Sequence, residues 1–331
     1  MRIMKSITSK KAARALPFPR LNDNKYTRGV CELVVGSEAF VGAAILAVSA
    51  ANRMGAGYIR AYVCEEAARV LHAVQPSVVT LPAGDYASAS HNQDERHPRA
   101  TVVGCGMRGT QVELRLVVDV LESTDAPVLV DGGGLAALAM PDGMAALKKR
   151  FIEGLPTVVT PHGGEALRML QALHEQRALE QTASRGVLGS ARDAKEFAAR
   201  GARALVGNST PQEMALALSR AFGVVCVLKG PDTFIASGDE ESDRDVSALY
   251  QGTPALAKAG TGDVLAGVIG ALLAQGVSAY DACVAGTFVH ARAGVLASVD
   301  LGETCVTAED VLSHLAPAVS ALVRKLQKEG N

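Results

Sequence analysis

A chain of 331 residues holds enough material for one large α/β domain or two ordinary ones, with 48% apolar residues, 20% charged residues and 33 glycines against only 4% aromatics. A formal net charge of −1 excludes a globally polybasic or polyacidic surface, and with it nucleic acid as the organising partner. The six cysteines carry no C-x-x-C spacing and no run reaches the roughly 18 uncharged apolar residues of a membrane span, so free, mostly buried thiols and no membrane partner are expected.

The first residues carry Arg2, Lys5, Lys10, Lys11, Arg14 and Arg20 before the first acid at Asp23, with no apolar core or cleavage site of a secretory signal. Residues 1–24 therefore read as a basic N-terminal arm, disordered or loosely docked, ahead of a domain over 25–331 in a reducing, cytoplasmic setting. From Val30 the chain alternates strands and helices: a strand to Gly36, a helix Ala43–Met54, a strand Tyr58–Cys64, a helix Glu66–Val74 and a strand Ser77–Leu81 closed by Pro82. The polar stretch 83–99, with His91 and His97, reads as an exposed loop.

Three later strands end in polar or glycine-rich turns. Thr101–Gly104 runs into Cys105-Gly106-Met107-Arg108-Gly109, Pro127–Asp131 into Gly132-Gly133-Gly134, and Pro156–Thr160 into Pro161-His162-Gly163-Gly164-Glu165. In open parallel sheets ligands bind at the carboxyl ends of strands, so these turns are where a site is expected. Gln171 to about Leu218 has the composition of an inserted set of surface helices, with a break near Gly186–Ser190. The strand Val224–Leu228 then delivers Lys229-Gly230-Pro231-Asp232-Thr233 and a partner strand Phe234–Ser237, followed by an acidic turn Gly238–Arg244. Helices over Val264–Ala274, Ala279–Ser298 and Ala308–Leu326 complete one doubly wound α/β domain with no evident repeat or linker.

The stretch Gly260-Thr261-Gly262-Asp263 opens the first of these helices. Glycines admit close backbone approach, and a helix start offers unpaired N–H groups and the positive dipole end, a seat for phosphate. A carboxylate beside phosphate repels it, so Asp263 has other work: it is either a helix cap or the base that takes a proton from an attacking hydroxyl.

Together these residues resemble the ADP/ATP-dependent NAD(P)H-hydrate dehydratases, the carboxy-terminal half of two-domain repair proteins in the ribokinase-like superfamily. The likeness runs from about Leu16 to Leu315 and rests on Asn24-Lys25-Tyr26-Thr27-Arg28-Gly29, Gly42-Ala43-Ala44, Arg53-Met54-Gly55-Ala56-Gly57, Thr160-Pro161-His162-x-Gly164-Glu165, Leu228-Lys229-Gly230-x-x-Thr233 and Gly260-Thr261-Gly262-Asp263. It implies a single-domain three-layer α/β/α, ribokinase-like fold with a mostly parallel central sheet. It also implies ADP- or ATP-dependent dehydration of the S-epimer of hydrated NADH or NADPH, by phosphorylation of the ring hydroxyl and elimination of phosphate.

By position, Asp263 matches the catalytic base. Lys229, Gly230, Pro231, Asp232 and Thr233, with Gly260, Thr261 and Gly262, match nucleotide-binding positions, and Ala43, Gly106, His162 and Asp263 match contacts to the hydrated substrate. ADP or ATP is the implied phosphoryl donor, with Mg2+ accompanying it but no protein metal site, and a homo-oligomer, a tetramer, is implied. Because such units are often fused to an epimerase, a separate NAD(P)H-hydrate epimerase is the expected pathway partner. The chain departs from the family pattern at Gly133, where a second acid is usual, at Thr253-Pro254-Ala255, at Ala259, and in the glycine loop at Cys105 and Arg108. The competing readings are a small-molecule kinase of the same superfamily, of the hydroxymethylpyrimidine or hydroxyethylthiazole type, and a nucleotide-binding homologue without turnover.

Overall fold

The computed structural model describes residues 5–89, 97–185, 209–237 and 246–329. Its strands are β1 (Lys5–Ser6), β2 (Val30–Val34), β3 (Tyr58–Val63), β4 (Val79–Pro82), β5 (Arg99–Val103), β6 (Val128–Val130), β7 (Thr157–Val159), β8 (Val225–Leu228), β9 (Thr233–Ala236) and β10 (Ser247–Leu249). They form one sheet in the order β1-β10-β9-β8-β7-β6-β5-β2-β3-β4. Strand β9 runs antiparallel to both its neighbours and every other pairing is parallel. The link Lys229–Asp232 is too short for a crossover, so β8 and β9 form a hairpin, whereas helices carry the chain between the parallel strands.

Helices Val41–Arg53, Thr261–Ala274 and Ala279–Leu301 cover one face of the sheet, and Gln111–Ser123, Pro141–Ile152, Gly163–Arg185 and Pro211–Phe222 contribute to a second apolar layer on the other. This is the expected α/β/α arrangement. Every residue from Val264 to Ala274 is buried, so that helix is central. Its small residues allow it: a Cβ added to Gly267 would lie 2.2 Å from the Ala47 carbonyl oxygen, which fixes the close approach of this helix to Val41–Arg53.

The sheet reverses direction at β2, because the chain lays β3 and β4 on one side of it and then returns to place β5 on the other. The crevice beyond the carboxyl ends of β2 and β5 is thus the switch point where an open α/β sheet takes its ligand.

The fold differs from the sequence reading in several places. The basic arm is docked: β1 pairs with β10, and Ile7, Ala12, Ala13 and Leu16 are buried, so apolar residues interleaved with the lysines hold it down. Within 83–99, Ala83–Ser88 is a 3-10 turn anchored by fully buried Tyr86, whose hydroxyl shares a 2.7 Å hydrogen bond with Thr101. His97 is half-buried against Tyr26, and His91 lies outside the described residues. The expected insertion begins inside a continuous helix, Gly163–Arg185, and Leu173, Ala215 and Leu218 belong to the core; its break near Gly186–Ser190, like the acidic turn Gly238–Arg244, lies outside the described residues.

The helix read over Ala308–Leu326 is two, Ala308–Ser313 and Leu315–Glu329, with Pro317 in the first turn of the second, where a missing N–H costs nothing. Among the described residues Ala279–Leu301 is long and apolar enough to cross a membrane, but 72% of its most apolar window is buried inside the protein, the placement of a core helix.

Candidate active site

The carboxyl ends of five adjacent strands place Lys229 after β8, Thr160 after β7, Asp131 after β6, Cys105 beyond β5 and Gly36 beyond β2 in one row. Asp131 is the hub. Its side chain is only 4% exposed, and its Oδ1 accepts hydrogen bonds from Thr160 Oγ1 at 2.6 Å and Lys229 Nζ at 2.7 Å. Its Oδ2 accepts a weaker bond from Cys105 Sγ at 3.7 Å.

The Gly260–Asp263 turn lies over this row. A Cβ on Gly262 would be 3.4 Å from Lys229 Nζ, so the ammonium lies directly beneath the helix entrance. Gly260, at φ +90°, is the residue before the helix, and no side chain caps it. The Thr261 hydroxyl is turned inward to the carbonyls of Leu256 and Lys258 at 2.8 and 2.9 Å, which closes the turn. The Thr261 N–H goes back to Lys258 and that of Val264 to Gly260; among the described residues the amides between them, of Gly262 and Asp263, have no backbone acceptor. The Gly262 amide is the open donor of an anion seat, while that of Asp263 lies against its own carboxylate.

Asp263 is third in its helix, the position from which an acid reaches back in a capping box. Glu113, Glu213 and Asp310 occupy the same position in their helices and do so, each with a threonine cap. Hydrogen bonds from the cap hold the Glu213 and Asp310 carboxyls below their ordinary range. Asp263 has no such partner and is shifted the other way. Burial, then the neighbouring charge of Asp131, pushes its pKa up to about 6, against the opposing pull of Lys229, the Cys105 thiol and its own backbone N–H. Among the described residues Asp263 thus takes no part in a capping box, and a carboxyl poised near neutrality at a helix entrance has the properties of a general base. Burial opposes the charge of Lys229, but Asp131, followed by Glu165, outweighs it and raises the lysine above its ordinary value.

The remaining sequence-marked residues fall at two flanks. At the switch point, Ala43 and Gly106 meet: a Cβ on Gly106 would lie 2.7 Å from the Ala43 Cβ and 3.0 Å from the Phe40 carbonyl oxygen, at φ +69°. Ser37 Oγ donates to the Gly106 carbonyl at 2.8 Å and the Gly36 N–H to the Cys105 carbonyl at 2.7 Å, which fixes this loop against β2. His162 lies two strands away, roughly 10 Å by strand spacing, with a side chain 55% exposed. Its Nδ1 accepts from the Gly164 N–H at 3.0 Å, and its backbone bridges to Lys229. On the far side Gly230, Pro231 and Asp232 are exposed in the β8–β9 hairpin, with Thr233 opening β9.

The structure thus brings Asp263, Gly262 and Lys229 together, joins Ala43 to Gly106, and leaves His162 at the rim. The sequence reading noted Asp131 at a strand end but missed its pairing with Lys229, 98 residues away, and missed Thr160 and Cys105 as its partners. An acid followed by glycines at a strand's carboxyl end was the one signal available. Gly133 has a steric reason: a Cβ there would lie 2.0 Å from the Met107 carbonyl oxygen, so the loop carrying Arg108 fills the space a second acid would need.

Donor atoms of Cys105, Asp131 and Asp263 lie within 4.8 Å of one another. They do not suit Mg2+, because a thiol is a poor ligand for a hard ion and Lys229 already places a positive charge on Asp131. The protein side of the site is therefore a cation-bearing anion seat with a second carboxylate, that of Asp263, beside it.

Residues 31–317 match the family model described as NAD(P)H-hydrate dehydratase. A bifunctional NAD(P)H-hydrate repair enzyme of Thermofilum pendens is 30% identical over 316 residues, which cover 93% of this chain and 53% of that protein. The chain spans about half the length of such bifunctional relatives. The ADP-dependent (S)-NAD(P)H-hydrate dehydratase of Neisseria meningitidis serogroup B is 30% identical over 321 residues, covering 95% of this chain and 93% of that one. The crystal structure of a Bacillus subtilis ADP/ATP-dependent NAD(P)H-hydrate dehydratase co-crystallised with ATP/Mg2+ shares the fold, with a TM-score of 0.72, 24% identity and coverage of 96% of this chain and 99% of that one.

Proposed function

The chain belongs to the NAD(P)H-hydrate dehydratase family, and from that membership we propose that it is a lyase that uses ADP or ATP to return the S-epimer of hydrated NADH or NADPH to the intact cofactor. The observation that carries this reading is Asp263: a carboxyl outside any capping box at a helix entrance, its pKa pushed up to about 6 beside the open Gly262 amide and the Lys229 ammonium.

In this reading Asp263 takes the proton of the ring hydroxyl as its oxygen attacks the terminal phosphorus of the nucleotide, and the departing AMP or ADP keeps the bonding electrons. The amide of Gly262, with Lys229 beneath it, holds the charge spread over the transferring phosphoryl oxygens. Asp131 and Thr160 keep Lys229 in place. The phosphate ester is a far better leaving group than hydroxide, so it departs with its electrons while the ring loses a proton, which restores the double bond. Atoms balance as hydrate plus ADP giving cofactor, AMP and phosphate.

The exposed hairpin Gly230–Thr233 accommodates the rest of the nucleotide, and the Ala43–Gly106 contact at the switch point offers a flat, side-chain-poor wall to the ring. His162 at the rim reaches the ribose or pyrophosphate of the substrate. Mg2+, when present, travels with the nucleotide phosphates and neutralises their charge. A separate epimerase supplying the S-epimer, a homotetrameric assembly and a cytoplasmic setting complete the reading; the first of these is supported by relatives named as bifunctional NAD(P)H-hydrate repair enzymes.

The kinase alternative shares every step up to the phosphate ester. Incubation with ADP and hydrated NADH separates the two. Recovery of NADH absorbance with release of phosphate is the expected result, whereas a stable phosphorylated product without recovered NADH would sink the lyase reading. ADP binding without either product would instead favour a homologue that has lost turnover.

A further inference from the structure

We propose that Cys105 is a positioning residue for the reaction: its thiol, hydrogen-bonded to Asp131 and within 4.8 Å of Asp263, keeps the base ionised and aimed at the substrate hydroxyl. This rests on Asp263 being that base. The geometry begins with Asp131, whose Oδ1 is taken by Thr160 and Lys229, leaving Oδ2 to the Cys105 thiol. The sulfur also lies within 4.8 Å of a carboxylate oxygen of Asp263, so the thiol that donates to Asp131 stands beside the second carboxylate.

The sulfur is completely buried. Its backbone is pinned by the Gly36 N–H on its carbonyl, with Gly104 and Gly106 in left-handed conformations on either side. The thiol therefore has little freedom to turn elsewhere. Burial and the two carboxylates push its own ionisation well above the usual thiol range, which makes it a permanent proton donor and a poor nucleophile. The groups facing Asp263 are Asp131, which disfavours its charge, and Lys229, Cys105 and its own backbone N–H, which favour it. Among these, Cys105 alone changes donor count by substitution without changing net charge.

Cys105→Ala deletes the donor, and Cys105→Ser keeps one in the same place. A base must be ionised to act, so removing a donor from beside its carboxylate raises the pH at which turnover falls on acidification. The acid limb of kcat/KM is expected to move up by roughly half a pH unit or more in Cys105→Ala and to return toward wild type in Cys105→Ser. The affinity for ADP, measured by calorimetry at about pH 8, is expected to be unchanged in both, which separates this effect from collapse of the site. Coincident acid limbs for wild type and Cys105→Ala would overturn the proposal, as would a serine variant that behaves like alanine. Asp263→Asn is measured beside them: turnover retained there defeats the base assignment itself, while turnover lost there with an unmoved limb in Cys105→Ala defeats only the role of the thiol.

Discussion

At the scale of single residues, Asp263 gains its meaning from what it does not touch. Three other acids at the same helix position fold back onto threonine caps, and Asp263 faces Gly260, which has nothing to exchange with it. Sequence alone left capping and proton transfer open, because residue type and position are identical in the two cases. Replacing Asp263 with Asn is expected to lower kcat by at least about a hundredfold. The same change is expected to stabilise the unliganded protein. A carboxyl whose folded pKa of about 6 lies above its unfolded value costs stability once the pH exceeds that unfolded value. The gain of Asp263→Asn over wild type, followed by urea unfolding, should be absent below about pH 4, grow to about pH 6 and then level off at about 3 kcal/mol. Lys229→Met should act in the opposite direction. It strands Asp131 in a buried position without its cation, and a loss of about 3 kcal/mol is expected at neutral pH, with Lys229→Arg losing less.

At the scale of elements, the long strands and helices were legible because their apolar residues repeat with the period of the element and their ends carry glycine or proline. The shortest pieces were not: β1 and β10 pair with each other over two residues, and neither has room for a periodic signal. Nor does a sequence show what ties elements together at the end of the sheet remote from the site. There Arg150, 2% exposed, donates to Thr157 Oγ1 and to the carbonyls of Leu121, Thr124, Ala126 and Pro156, just ahead of β6 and β7. Burial pulls its pKa down to about 10, still fully charged at neutral pH. Arg150→Met leaves those acceptors buried and unpaired, and a loss of about 3 kcal/mol is expected, with the affinity for ADP unchanged in the fraction that remains folded. Gly267→Ala tests the other layer. Its Cβ would fall 2.2 Å from the Ala47 carbonyl oxygen, so the central helix must shift, and both stability and kcat should fall because that helix carries Asp263.

At the scale of the whole molecule, chain order hid the site and strand order revealed it. Lys229 and Asp131 are distant in sequence, yet β8, β7 and β6 are neighbours, and their carboxyl ends deliver the two residues with Thr160 between. The doubly wound class was readable from the alternation of elements, whereas the reversal at β2, which creates the crevice, depends on which side each crossover takes. The departures from the family pattern also make sense only in space: Gly133 has no side chain because the Met107–Arg108 backbone occupies its place, and Thr253 serves as a local cap to Ala255 while its hydroxyl meets Ser298 and Glu303. Neither change touches the Asp263–Lys229–Asp131 group.

The measurement that bears most directly on the central claim is the stoichiometry of a single turnover, with enzyme in excess over the S-epimer of hydrated NADH and ADP supplied. The account predicts one NADH, one AMP and one phosphate per substrate consumed, with all three lost together in Asp263→Asn; NADH restored without AMP formation, or formed equally by the Asn variant, would contradict it.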